Sequence, residues 1–158
     1  MRLDLGLLFV VLFAPLLCGA QSKSQLHADL SGIWKLNHGK SDLRVWARMT
    51  PETLVIRQLE KEIQFEREIN GKHSSVSYKT DGLEQQTTTF DHHERLVRAR
   101  WSKGALVVEE RTLAHFAGTP DVEDVETTTT RWVLSNDDSV LTEKNGERGT
   151  TAVFDRQR

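Results

Sequence analysis

Apolar and polar residues alternate with a period of two along most of the chain after residue 30. Such alternation is typical of β-strands that bury one face and expose the other. Asn-Gly pairs at Asn70-Gly71 and Asn145-Gly146 separate some of these stretches and favour tight hairpins. The pattern predicts ten strands in an antiparallel meander, near residues 31–36, 52–59, 62–69, 73–80, 83–90, 95–101, 105–115, 125–135, 139–144 and 150–156.

One segment, 41–49, has helical spacing instead. Ser41 is positioned to cap its N-terminus, and Leu43, Trp46 and Met49 fall on one helical face. Because a proline follows at position 51, the sequence predicts a helix of at most two turns after the first strand.

Ten consecutive antiparallel strands would leave long unpaired edges in an open sheet. Closure into a barrel removes those edges and needs only hairpins between neighbouring strands. The predicted fold is therefore all-β, an up-and-down antiparallel β-barrel of about 8 to 10 strands with one short helix. A β-sandwich is the alternative, but its Greek-key connections usually need longer crossings than these turns provide. We expect a single domain at 30–158, preceded by a polar leader at 21–29.

The first twenty residues differ from the rest, because an apolar run at 5–17 is followed by small residues at Cys18 and Ala20. This pattern predicts a signal peptide at 1–20, cleaved after Ala20, and a periplasmic or secreted protein. The run is short for a transmembrane helix, so we expect no stable membrane insertion after cleavage. Lipid attachment at Cys18 is disfavoured, since the bulky Leu17 precedes it. With no other cysteine in the chain, the mature protein would have no disulfide, which suits a bacterial periplasm.

The net charge of -2 at pH 7 gives no broad electrostatic reason to bind nucleic acid. The six histidines show no metal-ligand spacing, and His92-His93 is expected at a turn. The sequence also lacks a Gly-x-Ser-x-Gly motif and a phosphate-binding glycine loop. No metal, cofactor or catalytic activity is therefore expected, and a protein partner is not identified.

Polar residues on otherwise apolar strand faces are the candidates for a ligand-binding site. Arg67 falls on the same face as Phe65, and a guanidinium together with the Tyr78 phenol would match a carboxylate. A mixed interior of this kind suits a small amphipathic ligand. The candidate ligand-binding residues are Phe65, Arg67, Tyr78, Trp101, Thr128 and Thr130.

Three alternatives stay open for these residues. Arg67 either extends its head into water at a strand end or pairs with Glu110. The barrel could instead be filled by its own large side chains and serve as a structural or protein-interaction domain of the cell envelope. An enzymatic reading would use Arg67, Glu110 and Tyr78 as a buried acid and base group.

Residues 31–37, Ser-Gly-Ile-Trp-Lys-Leu-Asn, contain a Gly-x-Trp that resembles the signature of lipocalins and other calycins. The resemblance implies that Trp34 plugs the barrel base and that Arg156, near the end of the last strand, covers it beside Gly32. The segments 40–42, 101–108 and 132–135 are also similar to those of exported bacterial lipocalin-like proteins.

The strand layout is similar to that of fatty-acid-binding proteins, whose helices form a lid. This similarity implies that Trp46 and Met49 lie over the barrel mouth. Together the resemblances imply a non-enzymatic barrel for a small hydrophobic or amphipathic ligand, such as a fatty acid or another lipid.

Overall fold

The computed structural model describes residues 27–88, 94–115 and 122–158. The predicted signal peptide at 1–20, most of the leader at 21–29 and the His92-His93 pair lie outside these ranges. A 3₁₀ helix at Arg44–Met49 follows the first strand. The ten strands are β1 (Gly32–Leu36), β2 (Thr53–Gln58), β3 (Glu62–Ile69), β4 (Lys72–Lys79), β5 (Asp81–Thr88), β6 (Glu94–Ser102), β7 (Ala105–His115), β8 (Val122–Leu134), β9 (Val140–Asn145) and β10 (Thr150–Arg156).

All ten strands belong to one antiparallel sheet with the order β4-β3-β2-β1-β10-β9-β8-β7-β6-β5. The first strand pairs with the last, in a register that sets Trp34 opposite Arg156 and Leu36 opposite Phe154. This pairing curls the meander into a nearly closed barrel, so the predicted fold class is confirmed.

Closure is incomplete at one place. Strands β4 and β5 follow each other directly but stand at the two ends of the sheet, without a hydrogen-bonded ladder between them. The Gln85 side chain spans this gap, since its amide oxygen accepts from the Lys79 N–H at 3.3 Å and its Nε2 donates to the Lys79 carbonyl at 3.4 Å. The expected hairpin between neighbouring strands is therefore replaced here by a side-chain bridge.

Trp34 seals one end of the barrel, which we call the sealed end. Its ring is fully buried, and its Nε1–H donates to the Leu30 carbonyl at 3.0 Å. The guanidinium carbon of Arg156 lies 4.4 Å from the Trp34 ring centroid, and its Nη1 donates to the Ser31 carbonyl at 3.1 Å. Gly32 has φ +147°, a conformation that L side chains rarely adopt, and a Cβ there would lie 3.5 Å from Nη1 of Arg156. Such a Cβ would make an ordinary contact, so glycine is favoured here by the backbone conformation beside the arginine and not by lack of space.

Aromatic rings fill the middle of the barrel. The Phe65 ring lies 5.0 Å from that of Trp132 and 5.8 Å from that of Tyr78, and Trp132 is 6.4 Å from Phe154. Separations of this size are the favourable range for tilted aromatic pairs. The core is therefore densely packed from the sealed end to about the level of Phe65.

The predicted helix is shorter than expected, and its predicted cap is wrong. The 3₁₀ helix begins at Arg44, after Leu43, and no side chain caps it. Ser41 Oγ instead donates to the Asn37 carbonyl at 2.7 Å and accepts from the Val153 N–H at 2.9 Å. The hydroxyl is used to hold the connecting segment against β10, so it is unavailable to the helix.

Two strand boundaries also differ from the expectation. Strand β8 begins at Val122 rather than at 125, and a register shift at Thr112 and Leu113 accompanies its pairing with β7. Strand β5 begins at Asp81, two residues before the expected start. The ladder between β8 and β7 continues through the acidic residues Glu123 and Asp124, which are unusual in strands.

We predict that Trp34→Ala lowers the free energy of unfolding by about 3–5 kcal/mol, since it empties a fully buried site. Arg156→Met keeps the apolar stem and removes the cation over the ring, at a cost of about 0.5–2 kcal/mol. Urea denaturation measures both effects, with Arg158→Met at the exposed chain end as the matched control. If Arg156→Met cost no more than Arg158→Met, the arginine would not be part of the seal.

Candidate functional site

The inward face changes from apolar to polar towards the end opposite the seal. Alternation along β7 sets Glu110 two residues beyond the buried Val108, and Glu110 lies opposite Thr128 of β8. Thr130 lies opposite Asn145 of β9 in the same way. We call this region the polar end and define it by Arg67, Glu110, Thr128, Thr130, Glu143 and Asn145.

A cavity of about 70 Å³ lies between the 3₁₀ helix and the polar end. The helix contributes Trp46 and Met49, the two residues expected to form a lid, and the barrel contributes Arg67. The complete lining is Leu43, Trp46, Met49, Thr50, Pro51, Arg67, Glu143, Asn145, Arg148, Thr150 and Ala152. The cavity thus combines an apolar roof with charged and polar walls.

The Arg67 guanidinium uses only part of its hydrogen-bonding capacity. Its Nε donates to Ser74 Oγ at 3.2 Å, and none of the described residues accepts a hydrogen bond from its two terminal nitrogens. None of the carboxylates in the described ranges lies within 4.0 Å of its guanidinium. Of the two alternatives for Arg67, the pairing with Glu110 is therefore wrong, because Glu110 is bound to Tyr78 and Arg95.

Glu110 accepts a hydrogen bond from the Tyr78 hydroxyl at 2.8 Å and forms an ion pair with Arg95 at 3.0 Å. Burial, and then the charge and hydrogen bond of Glu110, raise the pKa of Tyr78 well above its ordinary value of 10.0. Tyr78 thus keeps its proton and donates a hydrogen bond to Glu110. Its hydroxyl does not join Arg67 in the carboxylate-binding pair that the sequence suggested, and neither Tyr78 nor Glu110 lines the cavity.

Glu143 is the acidic residue of the cavity wall. It lies on β9 between Trp132 of β8 and Ala152 of β10. Burial raises its pKa to about 7, against the lowering effect of Arg67 and Arg148 and with a smaller raising effect of Glu110. None of the described side chains forms a hydrogen bond or an ion pair with its carboxyl group.

The 3₁₀ helix is held over the cavity by contacts of Trp46. The guanidinium carbon of Arg148, from the turn after β9, lies 4.1 Å from the Trp46 ring centroid. Thr50 Oγ1 donates to the Trp46 carbonyl at 3.1 Å. Because no residue of the helix itself is buried, these few contacts carry much of its attachment.

The remaining candidate residues lie away from the cavity lining. Phe65 belongs to the packed aromatic core, and Trp101 of β6 stacks on His27 with a centroid distance of 4.7 Å. Thr130 Oγ1 accepts a hydrogen bond from Asn145 Nδ2 at 3.3 Å, and Thr128 faces Glu110 across the β7–β8 ladder.

The sequence interpretation overlooked three residues of the cavity wall, Glu143, Asn145 and Arg148. A usable signal was present for Glu143, because alternation in β9 sets it on the same face as the buried Leu141. Arg148 lies in a turn, where periodicity gives no direction, so its contact with Trp46 had no signal in the pattern.

Within the described ranges, no group of three potential metal ligands comes together. None of the helices there has the length and apolar character to cross a membrane.

The chain matches no protein-family profile and no curated protein sequence. Its fold is similar to the solved structure of the REP1-NXSQ fatty acid transporter, with a TM-score of 0.57 and 16% sequence identity. The match covers 82% of this chain and 96% of that protein. At this identity the likeness shows a shared barrel fold.

We predict that Glu143→Gln stabilises the protein at high pH. The folded pKa of about 7 exceeds the ordinary value of 4.5, so the folded protein binds more protons than the unfolded chain between these values. Stability of the wild type therefore falls as the pH rises from 4.5 to 7. We expect the variant to exceed the wild type by about 2–3 kcal/mol above this range and to equal it below.

Chemical denaturation across this pH range measures the difference. Glu60→Gln, the same substitution at an exposed turn, is the matched control and should change stability little at any pH. If Glu143→Gln raised the free energy of unfolding by the same amount at both ends of the pH range, the pKa of Glu143 would not be raised in the folded protein.

A second prediction concerns Tyr78, the only tyrosine in the chain. Because its pKa is raised, alkaline titration followed by ultraviolet absorbance should show no tyrosinate as the pH passes 10.0. Tyrosinate should form only when the barrel unfolds, which circular dichroism detects independently. Ionisation near the ordinary pKa in a folded barrel would show that Tyr78 is not enclosed with Glu110.

Proposed function

We propose that the protein binds a small amphipathic carboxylate, such as a fatty acid, with the carboxylate at Arg67 and the apolar chain beneath the 3₁₀ helix. The observation that carries this proposal is the partly engaged Arg67 guanidinium in the wall of the cavity. A guanidinium and a carboxylate form strong charge-assisted hydrogen bonds, which are often bidentate. Arg67 therefore has the donors that such a ligand needs.

The apolar roof supports the other half of the proposal. Leu43, Trp46, Met49 and Pro51, from the helix and its two flanks, share the cavity lining with Arg67 and Glu143. The lining is more polar than that of a usual ligand site, and these four side chains are the part of it that an alkyl chain would contact. The apolar chain of the ligand would replace water against these side chains.

The cavity of about 70 Å³ accommodates a carboxylate head and its first carbons. Ligand sites for larger molecules have volumes of about 300–1,000 Å³, so a longer chain requires the roof to move outward. None of the six residues of the 3₁₀ helix is buried, whereas Leu43 and Pro51 beside it are, so the displacement would involve the helix while its two flanks stay anchored. The similarity in fold to a fatty acid transporter is consistent with this use of the barrel.

We also propose that the signal peptide at 1–20 directs the protein to the periplasm or outside the cell. Export supports a carrier role, since a poorly soluble molecule crossing an aqueous compartment needs a protein to enclose its apolar part.

A second candidate function is a structural or protein-interaction domain of the cell envelope. The observation that favours it is the packed aromatic middle of the barrel, where Phe65, Trp132 and Phe154 occupy the space that a long ligand would take. In this case the cavity at the polar end would hold only water. The two candidates differ in whether a carboxylate binds at Arg67.

A titration with decanoate that is monitored by tryptophan fluorescence tests whether the protein binds an amphipathic carboxylate. Trp46 is the tryptophan in the cavity lining, so its emission should change on binding, and Trp46→Phe should abolish the change. Arg67→Met should weaken binding roughly 10- to 100-fold, the effect of losing a hydrogen bond to a charged group. The matched control is Arg57→Met, which removes an exposed arginine paired with Glu66 on the barrel exterior.

Equal affinities for the Arg67 and Arg57 variants would show that the guanidinium in the cavity is not the anchor. Failure of the unmodified protein to bind decanoate, or other carboxylates of the series, would favour the interaction domain instead.

A further inference from the structure

We propose that Glu143 makes this site take up its carboxylate ligand together with one proton, which Glu143 holds in the complex. The inference rests on the proposed function, in which the ligand carboxylate binds at Arg67. Glu143 then determines which ligands fit, because the site must accommodate two carboxyl groups and only one of them is ionised.

The geometry that carries the inference is the separation of two opposite charges across one small cavity. Arg67 and Glu143 both line this cavity, yet they lie beyond the 4.0 Å limit of an ion pair. Another charged pair at this end, Glu110 and Arg95, does meet at 3.0 Å. Arg67 and Glu143 thus share one cavity without neutralising each other, so the charge of each remains available to a bound group.

Charged groups reach Glu143 from three directions. Strand β3 contributes Arg67, the turn after β9 contributes Arg148, and β7 contributes Glu110, whose effect on the pKa of Glu143 is the smallest of the three. The negative charge of Glu110 is already balanced by Arg95 and by the Tyr78 hydroxyl.

Among the described residues, the remaining elements bring no titratable group to the cavity lining. Directly beside Glu143 the neighbouring strands present Trp132 and Ala152. The 3₁₀ helix contributes only Trp46 and Met49 to the lining. Glu143 thus has apolar neighbours on both adjacent strands, polar groups elsewhere in the lining, and two arginines that do not pair with it.

A ligand carboxylate at Arg67 adds a negative charge opposite Glu143. Two carboxylates that share a confined site cannot both stay ionised, so one of them takes a proton. The ligand keeps its charge because it contacts the arginine, and Glu143 accepts the proton from solvent at one carboxyl oxygen. The protonated Glu143 can then donate a hydrogen bond to the ligand carboxylate. The pKa of Glu143 without ligand is about 7, so near neutral pH a small further rise is enough to protonate this carboxyl group.

The arrangement has a consequence for selectivity. A monocarboxylate brings one negative charge, which Arg67 and the proton on Glu143 accommodate. A dicarboxylate of the same length adds a second charge beneath the apolar roof and should be excluded. An alcohol of the same length needs no proton and should bind without proton uptake.

Isothermal titration calorimetry of the full protein with decanoate at pH 8, in buffers of different ionisation enthalpy, counts the protons taken up. We expect nearly one proton per decanoate for the unmodified protein. Affinity should fall by about tenfold for each pH unit above the pKa of free Glu143, the dependence expected for uptake of one proton.

Glu143→Gln should bind decanoate with no proton uptake and with an affinity that does not change with pH in the same range. Glu60→Gln, on an exposed turn, should behave as the unmodified protein. Decanol should bind without proton uptake in every variant.

Binding of decanoate by the unmodified protein without proton uptake would overturn the inference and leave the proposed function intact. Uptake that persists in Glu143→Gln would assign the proton to another group and equally overturn it. Absence of decanoate binding at every pH would instead overturn the proposed function and this inference with it.

Discussion

The pairing of β1 with β10 is the constraint on which the rest of the structure depends. Every other ladder joins strands that are neighbours in sequence, so the closure of the barrel requires this one contact between the chain's two ends. The same register sets Arg156 across from Trp34 and stacks the guanidinium on the buried indole. Because the residues of the stack are partners in this ladder, the seal and the closing ladder form as one unit.

Because Trp34 and Arg156 close one end of the barrel, a ligand site with polar groups is expected at the other end. The aromatic rings next to the seal exclude water and ligand, so polar side chains are tolerated only at the other end, where solvent is nearer. There, Glu110 binds Arg95 and Tyr78, whereas Arg67 and Glu143 line the same cavity without forming an ion pair. If Arg67 and Glu143 served only to stabilise the fold, we would expect them to form an ion pair. The absence of that ion pair is therefore the feature that most favours a ligand.

The fold could be predicted from the sequence because alternation and turn residues act locally. Alternation places Phe65 and Arg67 on one face of β3, and the structure has them so. The site was predicted only in part. Tyr78 was expected beside Arg67, but a partner 32 residues away, Glu110, takes its hydroxyl. Such pairings depend on barrel curvature and on which strands face each other across the interior, and a one-dimensional pattern contains neither. Alternation in β9 indicates that Glu143 points inward, but its raised pKa and its place beside Arg67 and Arg148 depend on groups from other parts of the chain.

A crystal structure of the protein with decanoate would show directly whether a carboxylate binds at Arg67 and Glu143. We expect the carboxylate within hydrogen-bonding distance of the terminal nitrogens of Arg67, with one of its oxygens close to a Glu143 carboxyl oxygen. The alkyl chain should lie beneath a displaced 3₁₀ helix. Two carboxyl oxygens at hydrogen-bonding distance from each other require a shared proton. A barrel that crystallises with the same packed interior and no decanoate at Arg67, under conditions that saturate fatty-acid carriers, would contradict the proposed binding.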